Sequence, residues 1–526
     1  MALFLHLRQL EAQPVHISHK VCETRHFAAF KLTGGRKPTE AGIYLWLTGR
    51  AAARALPFPI RSKRAGSRGL LRATGAMSLS ESANLRRCHL ATWQDEQPGG
   101  VDEPAVNKNL NPLVDQYPDM SFLNPSEMVM GHIIQNSTRA CEHPNPMLDS
   151  GCLRANAARH IFWDASQVKA AIVTCGGLCP GLNSIIRGVT KCLRNEYGVR
   201  EILGVSNGYN GLSDPDKNPP ISLTEELVRD IHMKGGSIIK AARGGFDAPK
   251  ICDNLAKQGI NVLFLVGGDG TQFAGNLLFE EARKRNLKVS IVGIPKSIDN
   301  DVVLFDRTFG FETAVDAASQ VIRNAWVEAS SCNRGVGIVK LMGRDSGFVA
   351  MHAATAADVV DLCMIPEVTV DLKDVLAHVD AVLAARGYMV IAVAEGAGQE
   401  MVSTGKKDAT GHTVYGDIGV HLRDTLNAHL KPSGGRTFYI DPSYIIRSVP
   451  IIPNDHIYCV RLANDAVHTA MRGYSGVCVG AMHNVICMLP SKLMASGKKK
   501  VRQHSSSWQG CVQICNMPRA LAGLSE

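Results

Sequence analysis

The sequence has no run of about 18 uncharged apolar residues, the length that a membrane-spanning helix needs. Its best candidate, residues 381–394, is shorter than this and contains Arg386. The 15 cysteines are scattered singly, without the repeated CxxC pairs typical of zinc sites, and 526 residues are far too many for a disulfide-rich miniprotein. We therefore expect no membrane partner and reduced thiols.

Aromatic residues make up only 6% of the chain, and no basic segment combines positive charge with stacking aromatics. The net charge of +9 comes from the N-terminus, because residues 1–80 hold 13 Lys/Arg and 3 Asp/Glu, a net of +10 that leaves −1 for the rest. The predicted folded part is therefore nearly neutral, and we expect no nucleic-acid partner.

The acid-poor N-terminus, with its basic run from Arg61 to Arg64, is typical of an organelle transit peptide. We predict a chloroplast location, with the cytoplasm as the alternative. Trp46 lies in an apolar stretch that is unusual for such a peptide, so a disordered tail without a targeting role stays open. Residues 1–95 are predicted to be transit peptide and disordered region, and residues 96–165 a Pro/Asn-rich N-terminal extension wrapped on the core.

Regular structure is predicted to begin near Val168, where short apolar runs start to alternate with longer helical patterns. This alternation predicts an α/β fold with parallel strands. The predicted strands are 169–174, 261–266, 289–294, 335–341 and 388–394, with a helix at 311–329. Each strand ends in a glycine-rich or acidic turn, and ligands bind beyond the carboxyl ends of parallel strands, so we expect these loops to converge on one crevice or on two facing ones.

The first such loop runs from Cys175 to Asn183. Its glycines, Gly177 among them, would let backbone N–H groups approach a phosphate. The spacing matches neither the dinucleotide fingerprint nor the Walker A loop, so a tight turn without a ligand is an equal alternative. Cys175 and Cys179 flank the turn, where a redox role competes with ordinary packing.

Two acidic motifs follow later strands. In Gly267–Thr271, an aspartate between glycines, Asp269, is suited to hold Mg²⁺, although it could instead cap the next helix. The segment from Pro295 to Asp301 places Lys296 and two carboxylates within seven residues. One acid can hold a metal and another accept a proton while the lysine neutralises phosphate, which is equipment for phosphoryl transfer.

As an ordered set, GGDGT, PKSIDND and LMGR, which ends at Arg344, resemble the 6-phosphofructokinases. The loop CGGLCPGLN and the motif AEGAGQ, which begins at Ala394, resemble the plant-type ATP-dependent branch of that family. The resemblance covers roughly residues 100–485. It implies two Rossmann-like three-layer domains with mostly parallel sheets and an active site in the cleft between them. The implied regions are a nucleotide-binding domain (166–311 plus about 446–485), a sugar-phosphate-binding domain (312–445) and a divergent tail (486–526).

The resemblance implies transfer of the γ-phosphoryl group of MgATP to the C1 hydroxyl of fructose 6-phosphate, in a homo-oligomer that is a homotetramer by the same resemblance. Asp299 would be the general base, and Asp269 and Asp301 would hold Mg²⁺. The implied nucleotide-binding residues are Gly177, Arg243, Gly268, Asp269, Gly270 and Thr271. The implied substrate-binding residues are Ser297, Asp299, Met342, Gly343, Arg344, Glu395, Tyr444 and Arg447.

Two positions bear on the phosphoryl donor. Pyrophosphate-dependent members of the family tend to carry aspartate where this chain has Gly270. The glycine at this position therefore favours ATP. Pyrophosphate-dependent members carry a lysine at the position of Lys296. The plant-type ATP-dependent branch, however, combines this lysine with the glycine. ATP is therefore the predicted donor and pyrophosphate the alternative.

Two hypotheses from other classes remain. A kinase for NAD or a lipid can carry the glycine loop, but it predicts neither PKSIDND nor the Met-Gly-Arg motif. A non-catalytic regulatory subunit of the same fold predicts the loss of an acid, whereas Asp269, Asp299 and Asp301 are all present.

Overall fold

The computed structural model describes residues 17–21, 28–32, 109–123, 127–129, 152–402, 415–495 and 497–524. The chain divides into two compact units, Met1–Ala76 and Met77–Glu526. In the first unit, strands β1 (Ile17–Val21) and β2 (Ala28–Leu32) pair antiparallel. This pair differs from the disordered region that the sequence predicts there. The basic run behind the transit-peptide prediction lies outside the described residues.

The strands of the second unit are short, as is usual in α/β proteins. In chain order they are β3 (Asn109–Leu110), β4 (Met128–Val129), β5 (Cys152–Arg154), β6 (His160–Ile161), β7 (Lys169–Thr174), β8 (Glu201–Val205), β9 (Ile221–Ser222), β10 (Val262–Gly267), β11 (Ser290–Pro295), β12 (Gly335–Leu341), β13 (Leu362–Met364), β14 (Tyr388–Ala394), β15 (Arg436–Ile440), β16 (Val477–Met482) and β17 (Val485–Pro490).

The helices alternate with these strands from β7 onward. In chain order the α-helices are α1 (Leu113–Gln116), α2 (Leu182–Lys191), α3 (Tyr209–Ser213), α4 (Glu225–Val228), α5 (Ala248–Gln258), α6 (Asp269–Lys284), α7 (Phe311–Ser330), α8 (Phe348–Ala357), α9 (Leu372–Arg386), α10 (Gln399–Val402), α11 (Ile418–Leu430), α12 (Ser443–Ile446), α13 (Pro453–Met471) and α14 (Ser506–Ile514). Among the described residues, none of these helices is both long and apolar enough to cross a membrane.

The larger sheet has nine strands in the order β4-β5-β17-β16-β11-β10-β7-β8-β9. Its five central strands, from β16 to β8, are parallel, and antiparallel strands flank them on both sides. The central strands β10 and β11 are buried along their whole length, as expected for a sheet covered by helices on both faces. Two apolar clusters fill these faces, one containing Phe264 and Tyr458 and the other Leu263 and Leu278.

The smaller sheet has four parallel strands in the order β13-β14-β12-β15. Its residues fall between β11 and β16 in the chain, so the larger sheet is built from two separate segments. The predicted α/β fold with mostly parallel sheets is confirmed. The predicted strands and the predicted helix all occur, within one residue at each end. The domain boundaries at 311 and 445 stay a prediction.

The C-terminal region is more integrated than the predicted divergent tail of residues 486–526. Strand β17 pairs antiparallel with β16 inside the larger sheet. Helix α14 packs into the core of the smaller sheet through Trp508 and Cys511, both fully buried. Apolar residues at helical spacing in this segment explain the packing, because they need a core to cover them.

Candidate active site

A cleft of about 1040 Å³ lies where the carboxyl ends of the two sheets face each other. The larger sheet contributes the turns that follow β7, β10 and β11. The smaller sheet contributes the residues that follow β12, β14 and β15. The predicted convergence of strand-end loops is therefore found, and the cleft joins loops of both sheets.

Two cations from other segments lie beside the glycines of the loop after β7. Gly176 has a φ of 85° and its amide donates to the Ala242 carbonyl at 2.9 Å, which fixes the turn. A Cβ atom on Gly176 would lie 3.8 Å from Lys296 Nζ, and one on Gly177 would lie 4.0 Å from Arg243 Nη2. Bare backbone with a lysine and an arginine at this distance is suited to phosphate groups.

Helix α6 begins at Asp269, directly after β10, and Gly268 occupies its capping position. The alternative role of Asp269 as the helix cap is therefore not what the structure has. The neighbouring glycines differ in what surrounds them. A Cβ on Gly267 would meet Thr271 Oγ1 at 2.3 Å, whereas a Cβ on Gly270 would meet no atom of the described residues within 4 Å. Packing requires the first glycine, while the second leaves open space in the cleft.

Aromatic side chains line the cleft on the side of this loop. Tyr209, Phe246 and Phe273 are lining residues, and Phe273 is 47% exposed. Tyr209 and Phe246 meet edge to face at 5.1 Å, and the Tyr209 hydroxyl donates to the Thr271 carbonyl at 2.8 Å. A flat base can pack against such a wall, and pyrophosphate has no group that needs one.

Three carboxylates in and beside the cleft contact one ammonium group. Lys498 Nζ lies 2.9 Å from Asp301 Oδ2, 2.8 Å from Asp345 Oδ2 and 3.7 Å from Asp269 Oδ2. Ser297 donates its hydroxyl to the other oxygen of Asp301. Burial and the neighbouring Asp301 raise the pKa of Asp269 to about 6. Burial opposes the charged form of Lys498, but its contacts with the acids raise its pKa above the ordinary value.

Asp299 lies beside this cluster and lines the cleft. Its Oδ1 atom is buried and accepts no hydrogen bond from the residues that the structure describes. Burial, and then the charges of Asp301 and Glu395, raise the pKa of Asp299 to about 7. A carboxylate with a vacant acceptor atom in a ligand cleft can receive a proton from a bound hydroxyl group.

The smaller sheet supplies the cations on the opposite side. Arg344 follows β12 and stacks on Tyr415 with 4.9 Å to the ring centre, and Arg447 stacks on Tyr444 at 4.3 Å. Stacking holds each guanidinium plane in a defined orientation. Burial raises the pKa of Glu395, and the nearby Arg344 opposes that shift.

All the predicted site residues line this cleft except Gly343. Gly343 has a φ of 135°, and a Cβ there would lie 2.6 Å from the Ser346 carbonyl. It shapes the turn that presents its neighbours Met342 and Arg344.

Sequence reasoning missed several cleft residues. Lys340 is held between Asp417 and Asp441 at 2.8 and 2.7 Å. Asp441 directly follows β15, so the rule of acids at strand ends was enough to find it. Lys498 lies in the predicted divergent tail, where the sequence analysis assigns no site residue, yet it contacts Asp301 and Asp345. No sequence motif identifies Lys498 as a cleft residue.

The acids of the centre fit a magnesium ion. Asp269, Asp301 and Asp345 offer hard carboxylate oxygens, the ligand type that Mg²⁺ prefers. They already surround a positive charge, that of Lys498, so the position favours a cation.

The two cysteines of the glycine loop favour packing over redox chemistry. Burial raises the pKa of Cys175 and of Cys179 to about 12, which keeps both thiols protonated. Cys179 donates to the Phe309 carbonyl at 3.3 Å.

Comparison with known proteins gives consistent results. The family model Phosphofructokinase matches residues 169–470. The chain is 40% identical over 409 residues to the chloroplastic ATP-dependent 6-phosphofructokinase 5 of Arabidopsis thaliana, covering 76% of each chain. It is 38% identical over 434 residues to the ATP-dependent 6-phosphofructokinase of Borreliella burgdorferi, covering 80% of this chain and 96% of the relative. Among solved structures, a pyrophosphate-dependent phosphofructokinase from Marinobacter aquaeolei matches with a TM-score of 0.57 and 18% identity, over 67% of this chain and 92% of the other. That likeness concerns the fold.

Proposed function

This chain belongs to the phosphofructokinase family, and on that basis we propose that it is an ATP-dependent 6-phosphofructokinase. It transfers the γ-phosphoryl group of ATP to the C1 hydroxyl of fructose 6-phosphate, giving fructose 1,6-bisphosphate and ADP. The observation that carries the assignment is the vacant, buried Asp299 Oδ1, placed in a cleft with phosphate-binding cations on both sides.

Each sheet binds one partner of the reaction. Gly177, Arg243 and Lys296 hold the phosphates of the donor, while Gly268, Gly270 and Thr271 leave bare backbone for the nucleotide. On the other side, Arg344 and Arg447 bind the sugar phosphate, and Glu395 accepts hydrogen bonds from sugar hydroxyls. Tyr444 and Met342 complete that wall.

The chemical step moves one proton and one phosphoryl group. Asp299 accepts the proton of the C1 hydroxyl while the C1 oxygen of the sugar forms a bond to the γ-phosphorus. The bond from that phosphorus to the bridging oxygen breaks, and the electron pair leaves with ADP. The protein has little covalent work to do, so positioning and charge neutralisation supply most of the rate. Ser297 lies where its hydroxyl can contact the phosphoryl group in transfer.

Asp269 and Asp301 are the proposed ligands of Mg²⁺, with Asp345 beside them. When bound, the ion neutralises charge on the phosphate oxygens. These residues hold their carboxylates close together in the cleft, so the position is built before the nucleotide arrives.

ATP is the proposed donor over pyrophosphate. The open space at Gly270 and the aromatic wall of Tyr209, Phe246 and Phe273 both accommodate a nucleoside. The curated relatives cited above are named as ATP-dependent.

We further propose a plastid location and a homo-oligomeric assembly. The similarity to a chloroplastic relative and the basic, acid-poor N-terminus support the first. A fusion of residues 1–80 to a fluorescent protein tests it, and a fusion that stays cytosolic contradicts it. Size-exclusion chromatography with light scattering tests the second, and a monomer would contradict it.

The catalytic assignment is tested by identifying the product. Purified protein with MgATP and fructose 6-phosphate should give fructose 1,6-bisphosphate, seen by ³¹P NMR as a new C1 phosphate resonance. NAD and diacylglycerol serve as competing acceptors. Phosphorylation of either in preference to the sugar phosphate would replace this function with that of another kinase.

A further inference from the structure

Lys498 has a position that the proposed function does not use. Its Nζ atom lies among Asp269, Asp301 and Asp345, which come from three different loops of the cleft. Three carboxylates that lie within 4 Å of one ammonium group would repel one another without a cation between them. In this structure the Lys498 ammonium group contacts all three acids and provides positive charge between them.

The backbone fixes the place of this lysine. Lys498 forms an antiparallel bridge with Val302, and the Lys499 amide donates to the Asp301 carbonyl at 2.8 Å. Lys499 Nζ also donates to the carbonyls of residues 305 and 306 at 3.1 and 3.0 Å. The C-terminal segment is therefore attached to the acidic motif itself, and Lys498 is directed at the acids by its chain position.

Both carboxylate oxygens of Asp301 are already engaged. One accepts the Ser297 hydroxyl, and Oδ2 lies 2.9 Å from Lys498 Nζ. Magnesium takes carboxylate oxygens at roughly 2.0–2.1 Å and demands near-octahedral geometry. A divalent ion that binds Asp301 through Oδ2 therefore meets the Lys498 ammonium group at the same oxygen.

We propose that Lys498 is the resident counter-ion of these acids in the free protein, and that a divalent cation binds in competition with its ammonium group. This rests on the proposed metal ligands, Asp269 and Asp301. In this role Lys498 is a positioning residue, which holds the acids together before the metal nucleotide arrives and then gives up its contact with Asp301.

A permanent phosphate-binding role for Lys498 makes the opposite prediction. A lysine that binds nucleotide phosphate would weaken ATP binding when removed, and it would leave the affinity of the free protein for a divalent ion unchanged or lower. The contacts favour competition, because the ammonium faces three carboxylates.

The experiment measures Mn²⁺ binding to the nucleotide-free protein by electron paramagnetic resonance of the free ion. The variants are K498M, which removes the charge, and K498R, which keeps it. K500M is the matched control, since Lys500 is exposed and lies in the same segment. We expect K498M to bind Mn²⁺ about tenfold more tightly than wild type, a change of about 1.4 kcal/mol, with K498R and K500M close to wild type.

Thermal unfolding gives a second readout that does not need activity. In EDTA, K498M should melt below wild type because its acids repel one another, and Mn²⁺ should remove the difference. Equal or weaker Mn²⁺ binding by folded K498M, or no measurable binding to either protein, overturns the competition. The proposed function is judged separately, by turnover of fructose 6-phosphate in the wild type, so each can fail without the other.

Discussion

Replacing Asp299 by asparagine isolates its role as proton acceptor. Asparagine has nearly the same shape, and the aspartate Oδ1 accepts no hydrogen bond from the described part of the chain, so the substitution breaks no such bond at that atom. It also removes a negative charge that lies close to Asp301 and Glu395. We therefore expect D299N to fold and to melt at or above the temperature of wild type.

The kinetic effect should be large and confined to the chemical step. General-base catalysis contributes about 10²- to 10⁴-fold, which corresponds to roughly 3 to 5 kcal/mol of transition-state stabilisation. We expect kcat to fall by this factor while the KM for fructose 6-phosphate changes by less than about fivefold. ADP release, coupled to NADH oxidation through pyruvate kinase and lactate dehydrogenase, measures both constants.

The matched control is D306N, which makes the same chemical change at an exposed residue that does not line the cleft. Its kcat should stay within about twofold of wild type, since it removes no group from the reacting atoms. If D299N keeps kcat within about tenfold of wild type, the assignment of Asp299 as the base is refuted.

Three further predictions follow from the same cleft and its core. G270D should raise the KM for ATP by at least about tenfold without lowering the melting temperature. G270A places only a Cβ in open space and should change neither quantity much. Equal kinetics in the two variants would contradict the placement of the nucleotide beside Gly270. Arg447→Met removes a guanidinium that lies over the Tyr444 ring, so the KM for fructose 6-phosphate should rise about 10- to 100-fold with little change in kcat. An unchanged KM would show that this arginine does not bind the sugar phosphate. Burial lowers the pKa of His468 from 6.5 to about 4, so its neutral form is stabilising and that stability is lost as pH falls below the unfolded-state pKa. Between about pH 7.5 and pH 5, the free energy of unfolding measured in urea should fall by about 2 kcal/mol more in wild type than in H468Q, in which glutamine can keep a hydrogen bond to Tyr197, and parallel curves would contradict this.

The parts of the fold that follow local rules were predictable from sequence. The central strands are continuous apolar runs that end in glycine or acid, and this pattern gave their position within one residue. The strand-end rule points to Asp269, Asp299 and Asp301, because parallel strands present their carboxyl ends at one edge of a sheet, whereas their separate roles are implied by the family resemblance.

The parts that depend on distant segments were not predictable in this way. Lys498 reaches Asp301 across 197 positions of sequence, and a lysine run carries no periodicity that reveals its target. Asp441 and Lys340 form a pair only because β15 lies beside β12 in the smaller sheet, which is a matter of strand order. Gly343 was assigned to substrate from its motif, while its positive φ and the nearby Ser346 carbonyl show that the turn needs it.

A paired donor assay tests the central claim most directly. The purified protein is given fructose 6-phosphate and Mg²⁺ with either ATP or pyrophosphate at equal concentration, and fructose 1,6-bisphosphate is measured in both. Phosphoryl transfer from a nucleotide held at Gly270 predicts the bisphosphate and an equal amount of ADP with ATP, and little product with pyrophosphate. Product formed with pyrophosphate and not with ATP would contradict the choice of donor, and no product with either would contradict the function.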